Sequence, residues 1–207
     1  MKPWLLIIAA YFAGALPIGL LVAKWWKGID VREHGSGNIG ATNVFRVVGK
    51  TAGTIVFILD VVKGLWPPLA AHAMGFNSAW QVGAGLAAIM GHTFSPFLGF
   101  KGGKGIATSL GVLFGVSWKV GVAAWALWGI TFALSGYVSL GSVLAAASLT
   151  PFTLLFYSGD IPRLILALVA GLFAIYKHRG NIERLRNGTE NRFRKKSSAT
   201  KDPSSNP

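Results

Sequence analysis

The feature that most constrains this chain is its succession of long stretches almost free of charge. Several windows of about 17–22 residues carry almost no Asp, Glu, Lys or Arg, which is enough for a helix to cross a bilayer. Charged residues make up 13% of the 207 positions, against roughly 25% in typical globular chains, and the mean hydropathy is +0.51. The chain reads as an all-α integral membrane protein.

Seven spans are expected. The first runs from Trp4 to Ala23 and is interrupted by Pro17, and the second from about Ala52 to Met74, with Pro67-Pro68 late in it. The third covers Ala79 to Phe97, a short fourth Lys104 to Ser117, and the fifth Val120 to Leu134. Tyr137 to Tyr157 makes the sixth, and a seventh starts at Asp160-Ile161-Pro162-Arg163 and ends near Tyr176. A cleavable leader is not expected, since Lys2 is the only early cation and no convincing cleavage site follows. Residues 1–194 form one membrane domain in this reading, and the polar tail 195–207 is expected to be disordered.

A net charge of +13 in a soluble chain would suggest nucleic acid. Here its placement reads as orientation. With seven spans, Lys2, Lys119 and Arg163 fall on one side. The segment Lys24–Lys50, the Gly99–Gly105 stretch and the nine Lys and Arg residues after Tyr176 fall on the other. That puts the N-terminus outside, the C-terminus in the cytoplasm, and three polar, glycine-containing stretches on one face.

The central stretch is Gly99-Phe100-Lys101-Gly102-Gly103-Lys104-Gly105. Glycines let backbone N–H groups approach an anion, and lysines add charge. The apolar, small-residue run from Ile106 to Val116 follows, so a helix N-terminus would reinforce the cradle. It is not a nucleotide P-loop, because Gly105 follows Lys104 and Leu98 occupies the upstream glycine position. A basic turn between helices explains the lysines but not the glycines.

Gly35-Ser36-Gly37-Asn38-Ile39-Gly40 matches a dinucleotide fingerprint, with Asp60 about twenty residues on. It lacks the βαβ setting that gives the fingerprint meaning. What remains is a tight loop with Ser36, Asn38, Thr42 and Asn43 as hydrogen-bonding groups and Arg46 as cation, suited to a phosphate or a hydroxylated molecule. A helix-capping loop is the alternative. The third stretch, Lys177-His178-Arg179-Gly180-Asn181-Ile182-Glu183-Arg184-Leu185, follows the last span. His178 and Glu183 have the spacing of a His-x4-acid pair but not its acid or its surroundings. Asp60 and Lys63 share a helix face inside an apolar span and read as a supporting ion pair.

Some classes of chemistry fall away. Cysteine is absent, which removes thiolate metal sites and cysteine nucleophiles. The acids are Asp30, Glu33, Asp60, Asp160, Glu183, Glu190 and Asp202, with no cluster to hold two divalent metals. An anion transporter shares the spans and the basic mouth. It should show inverted repeats or polar sites at the bilayer midplane, and here the polar residues gather at one face.

The three stretches, in this order and topology, resemble the three motifs of the bacterial acyl-phosphate-dependent glycerol-3-phosphate acyltransferases, the PlsY family. The resemblance runs from the first span to about Glu190. It implies transfer of an acyl group from acyl phosphate to the 1-hydroxyl of glycerol 3-phosphate, giving lysophosphatidic acid and phosphate at the cytoplasmic face of the bacterial inner membrane. Carried over by position, Ser36, Arg46, Lys104, His178 and Asn181 form the catalytic set. Asn38, Thr42, Asn43, Lys101, Gly102, Gly103, Gly105 and Ser142 are the further substrate contacts. Neither cofactor nor metal is implied, nor any nucleic acid. Membrane lipid is the expected surrounding and a monomer the working expectation. No serine sits in a nucleophile–base–acid arrangement, so transfer is expected to be direct.

Overall fold

A computed structural model describes residues 2–193, and the tail expectation for 195–207 lies outside the described residues. Ten α-helices follow one another, with no strand among the described residues. The first expected span is two helices, α1 (Pro3–Ala15) and α2 (Ile18–Lys27), because Pro17 has no N–H and holds Leu16 in an extended conformation. A short α3 (Ala41–Val47) precedes α4 (Lys50–Ala73), which continues through Pro67 and Pro68. Asn77 caps α5 (Ser78–Thr93) by accepting from the Trp80 N–H at 3.3 Å. After a turn and the glycine–lysine loop come α6 (Ile106–Val116), α7 (Trp118–Ser135), α8 (Val138–Phe156), α9 (Ile161–Lys177) and α10 (Arg179–Arg186).

Helix lengths correct the expected third and fourth spans. Among the described residues, four stretches are long and apolar enough to cross a membrane: Pro3–Lys27, Lys50–Ala73, Trp118–Ser135 and Val138–Phe156. A fifth arises only if α9 and α10, bent by 55°, count as one. The third window was expected to reach Phe97, but α5 stops at Thr93 after 16 residues. The fourth was expected to start at Lys104, but α6 starts at Ile106 and has 11. At 1.5 Å per residue α6 is about 16 Å long, half of a ~30 Å hydrocarbon core. Apolar composition ran past the helix ends because loop residues such as Phe94, Phe97 and Leu98 are apolar too.

Small residues set the packing. α4 packs most extensively on α6, and α1 on α5. A Cβ on Gly64 would lie 2.0 Å from the Thr108 carbonyl oxygen, and one on Gly111 2.0 Å from that of Val61, so the α4 and α6 backbones touch. α7, α8 and α9 pack in sequence beside them. Large apolar side chains face outward, Leu134 at 81% and Leu155 at 69% exposure among them. Such surface is costly in water and natural against lipid tails.

Alternate connections bring chosen helix ends together. At one end, Arg163 Nε donates to the Val116 carbonyl at 2.9 Å, joining the end of α6 to the start of α9. At the other end meet the loop before α6, the α7–α8 turn, the end of α9 and the segment after α10. There the Phe193 N–H donates to the Gly136 carbonyl at 2.9 Å, and the Arg46 guanidinium lies 5.1 Å from the Phe193 ring centre.

Candidate active site

A cavity of about 500 Å³ opens at this second end and runs between α4 and α6 on one side and α7, α8 and α9 on the other. Its polar lining includes Ser36, Asn38, Thr42, Arg46, Lys104, His178, Asn181, Arg184 and Glu190, with Asn43, Asp60 and His92 also at its border. Phe57, Leu110, Leu113, Trp125, Trp128 and Leu149 contribute an apolar wall. All three polar stretches therefore contribute residues to one cavity.

The loop that carries Lys104 is built by backbone geometry. Gly99 and Phe100 both adopt left-handed conformations, φ 58° and 61°, and turn the chain back under α5. The Phe100 N–H then donates to the Ser95 carbonyl at 2.8 Å, the Gly102 N–H to Thr93 at 2.9 Å and the Gly103 N–H to His92 at 3.2 Å. A Cβ on Gly102 would lie 2.0 Å from the His92 carbonyl oxygen, and one on Gly103 2.2 Å from His92 Nε2. These two glycines let the loop lie flat on the end of α5, and their N–H groups already have partners. Lys101, also expected as a contact, is exposed on the loop and is not among the cavity-lining residues. Gly105, at φ 76°, starts α6, whose first residues Ile106 and Ala107 line the cavity.

Lys104 points inward and donates to Asn181 Oδ1. Asn181 Nδ2 donates to Glu190 Oε1 at 2.7 Å, which also accepts from Ser139 Oγ at 2.9 Å. Arg184 Nε holds Glu190 Oε2 at 2.7 Å. Glu190 thus fixes which way the Asn181 amide faces: nitrogen to the carboxylate, oxygen to the ammonium. The sequence reading did not assign Glu190 a role. Its signal was weak, a single carboxylate between Gly188 and Arg192 in a basic stretch. Glu183, the alternative partner for His178, is exposed on α10.

Electrostatics follow from these contacts. Lys104 lies in the loop, and burial lowers its pKa to about 8, with Glu190 opposing and Arg184, Arg46 and Lys177 adding to the shift. His178, just past α9, is lowered to about 4, by burial first and then by the Lys104 charge. It is neutral at pH 7. Its Nδ1 lies 2.8 Å from the Ala174 carbonyl, so that nitrogen carries the proton and Nε2 keeps its lone pair. Burial pushes the Glu190 carboxyl up, but hydrogen bonds from Asn181, Ser139 and Arg184 outweigh it and hold the group below its usual range.

In the first stretch the structure separates contacts from supports. Asn43 is 2% exposed; its Nδ2 reaches the carbonyls of Val31 (3.0 Å), His34 (3.0 Å) and Asn38 (2.9 Å), and its Oδ1 accepts from the Ser36 N–H at 2.9 Å. Asn43 holds the loop in shape and also borders the cavity. Asn38 Oδ1 accepts from the Gly40 N–H at 2.8 Å. Ser36 and Arg46 remain exposed at the cavity. Ser142 lines it too, its hydroxyl donating to the Val138 carbonyl at 2.9 Å.

Comparison with known proteins gives a concordant picture. The family described as "Glycerol-3-phosphate acyltransferase" matches residues 4–188. The glycerol-3-phosphate acyltransferase of Geobacter sulfurreducens is 48% identical over 191 residues, 92% of this chain and 97% of the relative. That of Aquifex aeolicus is 45% identical over 195 residues, 93% of this chain and 100% of the relative. Among solved structures, the integral membrane glycerol 3-phosphate acyltransferase PlsY (YgiH) in its glycerol 3-phosphate form superposes with a TM-score of 0.88. It is 44% identical, covering 93% of this chain and 96% of that one. Its lysophosphatidic acid form gives 0.85 at 43% identity, covering 93% and 95%. The chain belongs to the glycerol-3-phosphate acyltransferase family, PlsY.

Proposed function

We propose that the protein transfers a fatty acyl group from acyl phosphate to the 1-hydroxyl of glycerol 3-phosphate, directly and without a metal. The observation that carries this reading is the single cavity in which Lys104, Arg46 and a neutral His178 share space with an apolar wall of aromatic and aliphatic side chains. A donor with a phosphate head and a hydrocarbon tail matches both halves. In this reading the chain crosses the bacterial inner membrane seven times, with the crossings at α5 and α6 completed by flanking loop residues packed inside the bundle, and the cavity mouth in the cytoplasm. Glycerol 3-phosphate enters from water and the acyl chain from lipid.

The reaction needs little covalent help. Acyl phosphate is a mixed anhydride with an activated carbonyl. The 1-hydroxyl oxygen attacks that carbon, a new ester C–O bond forms, the anhydride C–O bond breaks, and phosphate departs with the bonding pair. Lys104, Arg46 and Ser36 hold the phosphates, so positioning and electrostatics supply the rate. The hydroxyl proton has two destinations, His178 or a phosphate oxygen. A phosphate with its second pKa near ~6 is the stronger base than His178 at about 4. We therefore assign His178 Nε2 to orienting the hydroxyl and the phosphate to taking the proton.

The test is product formation in detergent, where no compartments exist to transport between. Labelled glycerol 3-phosphate is supplied with palmitoyl phosphate or with palmitoyl-CoA. Lysophosphatidic acid from the acyl phosphate and not from the thioester supports the reading; the reverse pattern overturns the donor assignment.

A further inference from the structure

Three polar side chains inside the bundle lie outside the chemistry described so far. Asp60 and Lys63 are 2% and 5% exposed, one turn apart on α4, with Lys63 Nζ 2.7 Å from Asp60 Oδ1. Lys63 also donates to the Leu16 carbonyl at 3.0 Å. That carbonyl lies at the break made by Pro17, where it accepts from the Ile18 N–H at 2.9 Å as well as from the ammonium. Ser95 does the same for Ala15, donating at 2.6 Å. A charged pair inside lipid is expensive unless it is paired and bonded in this way.

His92 is the third member. It is 4% exposed, and its Nδ1 lies 3.7 Å from Asp60 Oδ1, beyond hydrogen-bond distance and without a hydrogen-bond partner among the described residues. Its other edge is the floor of the glycine–lysine loop: the site where a Gly103 Cβ would sit is 2.2 Å from Nε2. The His92 carbonyl accepts from the Gly103 N–H as well. Both the ring and the backbone of this residue therefore fix the residue just before Lys104.

We propose that His92, packed against the Gly102–Gly103 backbone beside the Asp60–Lys63 pair, is a positioning residue that sets where Lys104 stands in the cavity. The inference rests on the acyltransferase reading and assigns the intramembrane charge pair a part in it. His92 and Asp60 border the same cavity, and the part assigned to His92 is exerted through the loop it supports. Removing its ring lets the Gly102–Gly103 backbone sink, and the Lys104 ammonium moves from the position where it meets phosphate.

A double-substitution cycle tests this, with folded protein isolated by gel filtration in detergent and KM and kcat measured separately. His92→Ala is expected to raise the KM for glycerol 3-phosphate and lower kcat/KM by about tenfold, while His92→Gln, which refills the space, restores most of the loss. Gly103→Ala forces a methyl into the His92 ring and should also cost about tenfold; combined with His92→Ala, its added cost should fall below about threefold. If His92→Ala does not fold, the cycle is read in the His92→Gln background, whose flexible side chain can yield to the methyl. A merely structural role would reduce the yield of folded protein and leave KM unchanged. Wild-type turnover with unaltered KM in the His92 variants, or strictly additive effects with Gly103→Ala, overturns the inference alone. Absence of acyl transfer by the wild type overturns the acyltransferase reading and this inference together.

Discussion

The Lys104 ammonium donates to the Asn181 side-chain oxygen across 77 residues of sequence, and this bond joins the second polar stretch to the third. Asn181 is in turn oriented by Glu190, which faces it at 2.7 Å. A cation aimed into the cavity through a fixed amide is set in place before substrate arrives, which is the condition for electrostatic catalysis.

Replacing Lys104 by Ala should therefore lower kcat/KM by about 10²–10³, the usual loss for one preorganised donor. Lys104→Arg keeps the charge but not the compact ammonium, and should recover only part of the rate. Steady-state kinetics on detergent-purified protein read both.

The pH profile carries a second signature. Because burial lowers the Lys104 pKa to about 8, the free enzyme loses its cation within the working range. kcat/KM should fall on the alkaline side with an apparent pKa near 8, and that limb should vanish in Lys104→Arg, whose guanidinium stays charged. The EDTA-treated enzyme should give the same profile at the same rate.

Glu190 is expected to act through Asn181 and through stability. Glu190→Ala leaves buried donors of Asn181 and Ser139 unpaired, at about 1–3 kcal/mol, and should also lower turnover as the Asn181 amide turns. The carboxyl's pKa is lower in the folded protein than its ordinary 4.5. Its stabilisation is thus fully present above about pH 4.5 and is lost as pH falls through the folded value. Thermal unfolding of wild type and Glu190→Ala should converge under acid.

Much of the site was legible because phosphate chemistry demands unusual residue combinations in an apolar chain. Lysines next to glycines, and Ser36, Arg46, His178 and Asn181 beside long uncharged runs, stand out against a lipid-facing background. The sequence was silent on which glycine serves the ligand and which serves packing. Gly102 and Gly103 look like anion donors in one dimension, and only the fold shows how closely they pack on His92. Asn43 is similar: its neighbours suggested a contact, while its bonds to Val31, His34 and Asn38 come from a fold that spacing does not encode. Helix ends were misread where apolar loop residues extended the hydropathy signal beyond α5.

That division between contact and support is open to direct check. Asn43→Ala should destabilise the protein by about 2 kcal/mol through loss of its loop bonds, with activity falling alongside folded yield. Ser36→Ala should leave the unfolding midpoint unchanged and reduce turnover.

Direct transfer at a Lys104-centred site can be read from phosphate release from palmitoyl phosphate. Purified wild type and Lys104→Ala are assayed with and without glycerol 3-phosphate. Release is expected only when glycerol 3-phosphate is present, one phosphate for each lysophosphatidic acid, and is lost in Lys104→Ala. A stoichiometric burst of phosphate without the acceptor, leaving an acylated protein, would rule direct transfer out.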